Sequence, residues 1–369
     1  MAATNWIKLE YLTLKGWRSI NDMEDFRPTP VNVLIGPNGA GKSNFITFFN
    51  FLSYLLQGKL QTRVQELGRA SDILFDGPAV TQQMEAAFGL RTSAGLNEYC
   101  FKLQFAKPDN LFFAEEGFRF CPNDCDLESV DWTWMGGGHA ESKLVDRTDR
   151  TASTLRNLLK QLIVYQFHNT TDTASIRLSW SADDGRHLKA NAQNLGSFLH
   201  HLKEHQLPYY NRIKLYLKTV LPFLDDLELE PEYGKILLSW TENGSDKVFN
   251  AGQASDGMLR ILALFTLLGQ NPKSLPSVMF IDEPELGLHP AAIDAVAGLI
   301  KAASKHCQMF ISTQSVSMVN NFSPDDVVVV ERIGRESTYK RQSVDDLEAY
   351  LEEFSTGQIW DMNIMGGRP

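Results

Sequence analysis

Residues 31–56 read VNVLIGPNGAGKSNFITFFNFLSYLL, and this stretch decides the fold. Val31 to Ile35 is a short apolar run of the kind found in buried strands. Gly36-Pro37-Asn38-Gly39-Ala40-Gly41-Lys42-Ser43 then matches the pattern G-x-x-x-x-G-K-S in full. Glycines at these places let successive backbone N–H groups turn inward around a phosphate. A helix beginning near Lys42 aims the positive end of its dipole at the same point. Lys42 is expected to reach the terminal phosphates of a nucleotide, and the Ser43 hydroxyl to ligate Mg²⁺. Asn44, the next residue, is counted with the loop. A glycine-rich turn that binds nothing would need neither the strand before it nor the apolar-faced helix after it, and both are present.

A phosphate loop needs an acidic partner to hold the metal opposite its serine. SVMFIDEPELGLHP (277–290) supplies one, with four apolar residues followed by Asp282 and Glu283 where a strand would end. Asp282 suits the magnesium-holding carboxylate, directly or through water. Glu283 suits the general base that polarises the attacking water. The last third of the chain alternates apolar strands (SVMFI, QMFIST, DVVVVERI) with amphipathic helices (GMLRILALFTLL, AAIDAVAGLIKAA). That alternation predicts an α/β fold, a mostly parallel sheet flanked by helices, to which the first strand and loop also belong.

Outward from these motifs the chain is less regular. WIKLEYLTLKGW, with Trp6, Leu9 and Tyr11, reads as a strand or hairpin, and QMEAAFGLR and EYCFKLQF as paired antiparallel strands. These predict an antiparallel β subdomain. Residues from about 107 to 150 read as an irregular insertion of loops and short strands at the edge of the fold. NLGSFLHHLKEH and RIKLYLKTVLPFL show helical spacing and predict a helical lobe. The expected division is an N-terminal lobe over 1–167, a helical lobe over 168–235 and a C-terminal lobe over 236–369.

Composition narrows the function classes. Of 369 residues, 35 are Lys or Arg and 45 are Asp or Glu, a net charge of −10. That balance counts against a surface that coats nucleic acid, since phosphate affinity comes from basic side chains, and leaves only a local basic groove for DNA. The longest unbroken apolar run, Ile261 to Phe265, is far short of the ~20 residues of a membrane span. Four cysteines suit a reducing cytoplasm better than a disulfide scaffold. Cys121 and Cys125 lack the second pair a structural zinc site would use, so they read as free thiols. The tail, 346–369, carries an apolar stripe suited to docking on the protein's own body or on a partner.

Motif order gives the class. NAGQASDGMLRILAL (250–264) lies between the two motifs, and PELGLHP and MFISTQS come after the acidic pair. The succession resembles the ABC-type ATPase heads of the RecF, SMC and OLD clan. That resemblance implies Mg-ATP bound between two copies arranged head to tail. Ser255 and Gly257 would contact the γ-phosphate held by the opposite subunit, with Asp256 turned aside as a cap. Gln166, in LIVYQFHN (162–169), resembles the glutamine that senses magnesium and the lytic water, with His168 as its rival. Arg18, in GWRSI, resembles an arginine that approaches the nucleotide. Gln314 stands where such heads usually carry a histidine; glutamine can donate a hydrogen bond there but cannot carry a proton. His289 falls in the segment resembling the loop that touches the opposite subunit. The residues after Ser315 are too few for the nuclease module of OLD relatives, so a separate effector or nuclease partner is expected. Genome maintenance or anti-phage defence is the expected setting. An ATP-gated scaffold with slow hydrolysis is the alternative.

Overall fold

The computed structural model describes residues 7–368. Trp6, read with the first strand, lies outside the described residues. At the centre is a six-stranded sheet in the order Glu336–Arg341, Val327–Ile333, Val31–Ile35, Gln308–Thr313, Val278–Asp282 and Leu162–Tyr165. All neighbours are parallel except the edge strand Glu336–Arg341. The central strands are nearly unbroken apolar runs because helices cover both faces. Successive residues point to opposite sides. Leu34, Phe280 and Phe310 join the cluster beneath the helix Lys42–Leu55, while Val33, Met279 and Ile311 join the cluster on the other face. On the first face Phe49 stacks on Phe280 with centroids 4.0 Å apart, and Phe280 on Phe310 at 4.7 Å. The opposite face is covered by Asp256–Gly269 and Pro290–Ala303.

Register fixes the site. Asp282 pairs with Ser312, and Thr313 with Ile35. The acidic pair, the segment after Thr313 and the loop after Ile35 therefore emerge side by side at one edge of the sheet. That edge, beyond the carboxyl ends of parallel strands, is where open α/β sheets bind ligands.

The second sheet is antiparallel, in the order Ile20–Phe26, Lys8–Trp17, Gln83–Thr92, Gly95–Ala106, Asn110–Pro122 and Thr133–Trp134. It corrects the expected insertion. Asn110–Pro122 is a thirteen-residue strand paired along most of its length with Gly95–Ala106. A bulge shifts the register opposite Lys102 and Leu103. Leu111 and Phe113 are buried before it and Glu116 and Phe118 after it, so the inward phase flips and no simple alternation is left to read. Glu116 is fully buried and meets the Tyr99 hydroxyl at 2.5 Å, Ser142 Oγ at 2.5 Å, His139 Nε2 at 2.9 Å and the Lys143 N–H at 3.0 Å. This network pins the irregular segment after Pro122 to the sheet.

The helical lobe contains Leu195–His205 and Leu207–Val220. It continues into a three-stranded sheet, Leu224–Glu228, Ser239–Glu242 and Val248–Asn250, so the boundary expected at 235 cuts through paired strands. Hydrophobic periodicity marks the helices but carries no record of strand pairing across the segments between them. The tail docks on the protein's own body: Trp360 is fully buried and donates to the Gly367 carbonyl at 2.7 Å, and Gly367 N–H donates to Glu331 at 2.8 Å.

Candidate functional site

The loop after Ile35 has the shape its glycines permit. Gly36, Gly39 and Gly41 all have positive φ. A Cβ on Gly36 would lie 2.1 Å from the Val330 carbonyl oxygen, and one on Gly41 would lie 2.2 Å from Ser337 Oγ. Only glycine fits at those two places. Ser337 Oγ also donates to the Ala40 carbonyl at 2.5 Å, so the edge strand braces the loop from outside. The Lys42 ammonium is held by the carbonyls of Gly36 at 2.6 Å and Pro37 at 3.0 Å. Burial pulls its pKa below the usual lysine value, against the pull of Glu283, Asp282 and Glu285.

Opposite the loop, Ser43 Oγ lies 3.4 Å from Asp282 Oδ1, which also accepts from the Ser312 hydroxyl. A serine hydroxyl, a carboxylate, a lysine and inward N–H groups make a donor set that fits a divalent ion with a polyphosphate. Glu283 has left-handed backbone, φ 42°, at the turn out of the strand. Its N–H donates to the Ser312 carbonyl at 2.9 Å, and its carboxylate accepts from the Gln314 side-chain amide. Gln314 is thus a clamp on the proposed base.

Sequence reading missed the residue that holds the clamp. Glu285 accepts from Thr313 Oγ1 at 2.6 Å and from the Gln314 N–H at 3.1 Å. Burial pushes its carboxyl up from the usual range, opposed by those two donors, with the Glu283 charge adding to the rise. The only sequence signal was the pairing of a second glutamate in DEPE with the hydroxyls of IST, which becomes meaningful once the two strands are known to be neighbours.

The other expected residues divide. Arg18 reaches the loop helix: its Nη1 donates to Asn44 Oδ1 at 3.3 Å, and Asn44 in turn donates to Ser19 Oγ at 2.7 Å. Its backbone has φ 50°, and its N–H donates to the Ile73 carbonyl at 2.7 Å. Gln166 is exposed, with its backbone N–H bonded to the Ala190 carbonyl. His168, two residues on, is the one that faces the acidic pair, with Nε2 4.0 Å from Asp282 Oδ2. His289 caps the helix Pro290–Ala303, its Nδ1 accepting from the Ala291 N–H.

Ser255 caps the helix Asp256–Gly269, accepting from the Met258 N–H at 3.2 Å. Asp256 is turned aside as expected, but to an ion pair with the buried Arg177 at 2.9 Å. Arg177 also ties down the carbonyls of Thr170, Ala251 and Ala254. Gly257 lies against the 284–289 turn, where a Cβ would come within 2.7 Å of the Gly287 carbonyl oxygen. Arg260, on the same helix, donates to the carbonyls of Leu286, Phe167 and His168. Ser255 is exposed, and among the described residues no hydrogen bond or ion pair joins Ser255–Gly257 to the 36–44 loop.

Two family models match the chain. One, described as an AAA domain, covers residues 11–193, and the other, an AAA domain described as a putative AbiEii toxin of a type IV TA system, covers residues 139–320. Between them they take in the phosphate loop, the 255–257 segment and the acidic pair. Together with the relatives below, these AAA-domain matches support an ABC-type ATPase head of the RecF, SMC and OLD clan. A part of this head is 30% identical to the Old nuclease of Escherichia phage P2, a match covering 35% of the chain and only 26% of that relative. Solved SMC heads share its fold. One, bound to the C-terminal winged helix domain of ScpA, superposes with a TM-score of 0.60 at 17% identity over 92% of this chain and 99% of the other. Another, from Pyrococcus furiosus and bound to the C-terminal domain of ScpA, gives 0.58 at 16% identity over 94% and 99%. Among the described residues of this head, no helix is long and apolar enough to cross a membrane.

Proposed function

We propose that this head is an ATPase that binds Mg-ATP at composite sites between two copies arranged head to tail. The observation that carries the reading is a site split in two. The phosphate loop, Asp282, Glu283 and Gln314 converge at one sheet edge, while Ser255 and Asp256 are exposed at a helix N-terminus, whose dipole favours an anion. Each chain then offers half a site twice over, and a two-fold pair completes both.

Within one copy, the loop N–H groups and Lys42 would bind the phosphates, and Ser43 and Asp282 would hold the divalent ion. That ion supplies charge neutralisation on the phosphate oxygens when bound. Glu283, oriented by Gln314, would take the proton of the attacking water. Ser255 and Gly257 of the second copy would cap the γ-phosphate. Arg260 links that helix to the 284–289 turn and to the His168 backbone, so closure of the pair would bear directly on the acidic site. The work done with this cycle is genome maintenance or anti-phage defence through a separate effector such as a nuclease, a reading supported by the Old nuclease match and by a surface too acidic to coat DNA. A scaffold that hydrolyses slowly is the second reading, favoured by Gln314, which cannot carry a proton where a histidine is usual.

Mixing inactive variants tests the composite site. Lys42→Ala and Ser255→Arg should each abolish turnover alone. An equimolar mixture should recover about a quarter of the wild-type rate, because half of the random pairs contain one intact site of two. A mixture as inactive as its components would remove the head-to-tail arrangement.

A further inference from the structure

We infer that the cleft beside the turn at 232–235 is a docking surface for a basic, extended segment of a partner protein, with Tyr233 as the anchor. The inference rests on the separate-partner reading above and not on hydrolysis.

The turn is built against the preference of its own residue. Glu232 N–H donates to the Lys235 carbonyl at 2.8 Å and Lys235 N–H to the Glu232 carbonyl at 2.9 Å, which leaves Tyr233 and Gly234 as a two-residue loop. Both have left-handed backbone, with φ 50° and 74°. The first place in such a loop suits Asn, Asp or Gly, and a tyrosine there is strained. Its ring gains nothing in return from the rest of the protein. Tyr233 is fully exposed, and among the described residues no ring contact or side-chain hydrogen bond engages it. An aromatic ring that is both strained in its backbone and open to water is best accounted for by burial against a partner.

What lies beside the ring says what the partner is made of. Tyr233 lines a cleft of about 480 Å³ together with Glu228, Glu230, Glu232, Leu237 and Val248. Leu237 and Val248 are exposed, so the apolar side chains are gathered at one place rather than scattered over the surface. The three glutamates alternate with the buried Leu229 and with Pro231, and all three face the cleft. Lys203 reaches Glu230 at 3.4 Å, and Lys235 also stands on the cleft wall. Among the described residues, however, no basic side chain lies within ion-pair distance of Glu228 or Glu232. Carboxylates spaced two residues apart match an extended chain that brings Lys or Arg at every second position. Apolar residues of the same chain would lie on Tyr233, Leu237 and Val248. Nucleic acid has the wrong sign for this surface.

The test is fluorescence anisotropy on the full chain, at low ionic strength, with a labelled peptide that alternates arginine and leucine. Wild-type protein should bind the peptide, and added salt should weaken the binding. Glu228→Gln, Glu230→Gln and Glu232→Gln together should weaken it at least about 10-fold. Glu348→Gln, Glu352→Gln and Glu353→Gln, on the exposed face of the tail, change the net charge equally and should leave affinity within about twofold. Tyr233→Gly should weaken binding about 10-fold, with unfolding in urea at a midpoint no lower than wild type because the strain is gone. Tyr233→Asn also suits the turn and should lose binding likewise. Equal weakening by the two triple changes would reduce the effect to net charge and overturn the inference. Full affinity in both Tyr233 variants would overturn it as well. So would Tyr233-dependent binding of labelled single-stranded DNA. A concentration-dependent dimer that the Tyr233 variants lose would overturn it too, by making this face an interface between copies. Wild-type protein that bound the peptide through these residues but hydrolysed no ATP would fell the ATPase reading and leave the docking surface standing.

Discussion

Replacing Glu283 by glutamine is expected to lower ATP hydrolysis by roughly 10²–10⁴-fold while leaving ATP binding intact. The side chains are nearly the same size, and the glutamine oxygen can still accept from the Gln314 amide, so the turn after Asp282 should keep its shape. What disappears is the ability to take a proton from water. With chemistry blocked and binding preserved, the closed pair should accumulate. Size-exclusion chromatography with multi-angle light scattering should therefore show an ATP-dependent dimer or larger assembly that wild-type protein populates only transiently. Turnover at the wild-type rate would mean that another group is the base, and Glu285 would be the next to test. A binding-only protein predicts a different result: hydrolysis near background in both proteins, and an assembly that does not depend on residue 283.

Lys42→Ala should weaken ATP binding about 100-fold, measured by calorimetry. A hydrogen bond to a charged group contributes ~1.5–3 kcal/mol, and loss of ~3 kcal/mol from the ammonium's contacts with phosphate corresponds to that factor. The variant also leaves Asp282, Glu283 and Glu285 without the cation that the loop brings to them, so the site becomes more repulsive to an anion. The loop itself should survive, because Gly36, Gly41 and the Ser337 brace do not depend on the lysine. Unfolding in urea at an unchanged midpoint would confirm that only binding was lost. Unaltered affinity would show that phosphate is not what Lys42 serves.

Much of the fold was legible because the decisive signals are local. The run Val31–Ile35, the glycine loop and the helix after it lie within one stretch of chain, and the strand before Asp282 is equally self-evident. The antiparallel sheet was legible only in part. Gln83–Thr92 and Gly95–Ala106 announce themselves as a hairpin, while Asn110–Pro122 hides behind a bulge that swaps its inward face and a glutamate buried by a hydrogen-bond network. The site shows the same limit. Asp282 and Glu283 stand at a strand end that sequence can locate. The partners of Glu285 and the neighbour of Asp282 come from strands and loops brought together only by register, so sequence alone does not say which of Gln166 and His168 stands beside Asp282. Gln166 is the residue whose type fits the resemblance, and His168 is the one the backbone turns toward the carboxylate.

The left-handed backbone at Glu283 sets stability against activity. A non-glycine residue held in that region costs on the order of 1–2 kcal/mol, a strain glycine would not feel. Glu283→Gly would also thin out the negative charge beside Asp282 and Glu285. Selection for heat resistance alone would thus reward loss of the carboxylate, and the variants it enriched would be robust and inert. A glutamate in so unfavourable a conformation costs stability and supplies the carboxylate, so at this position durability and turnover pull in opposite directions.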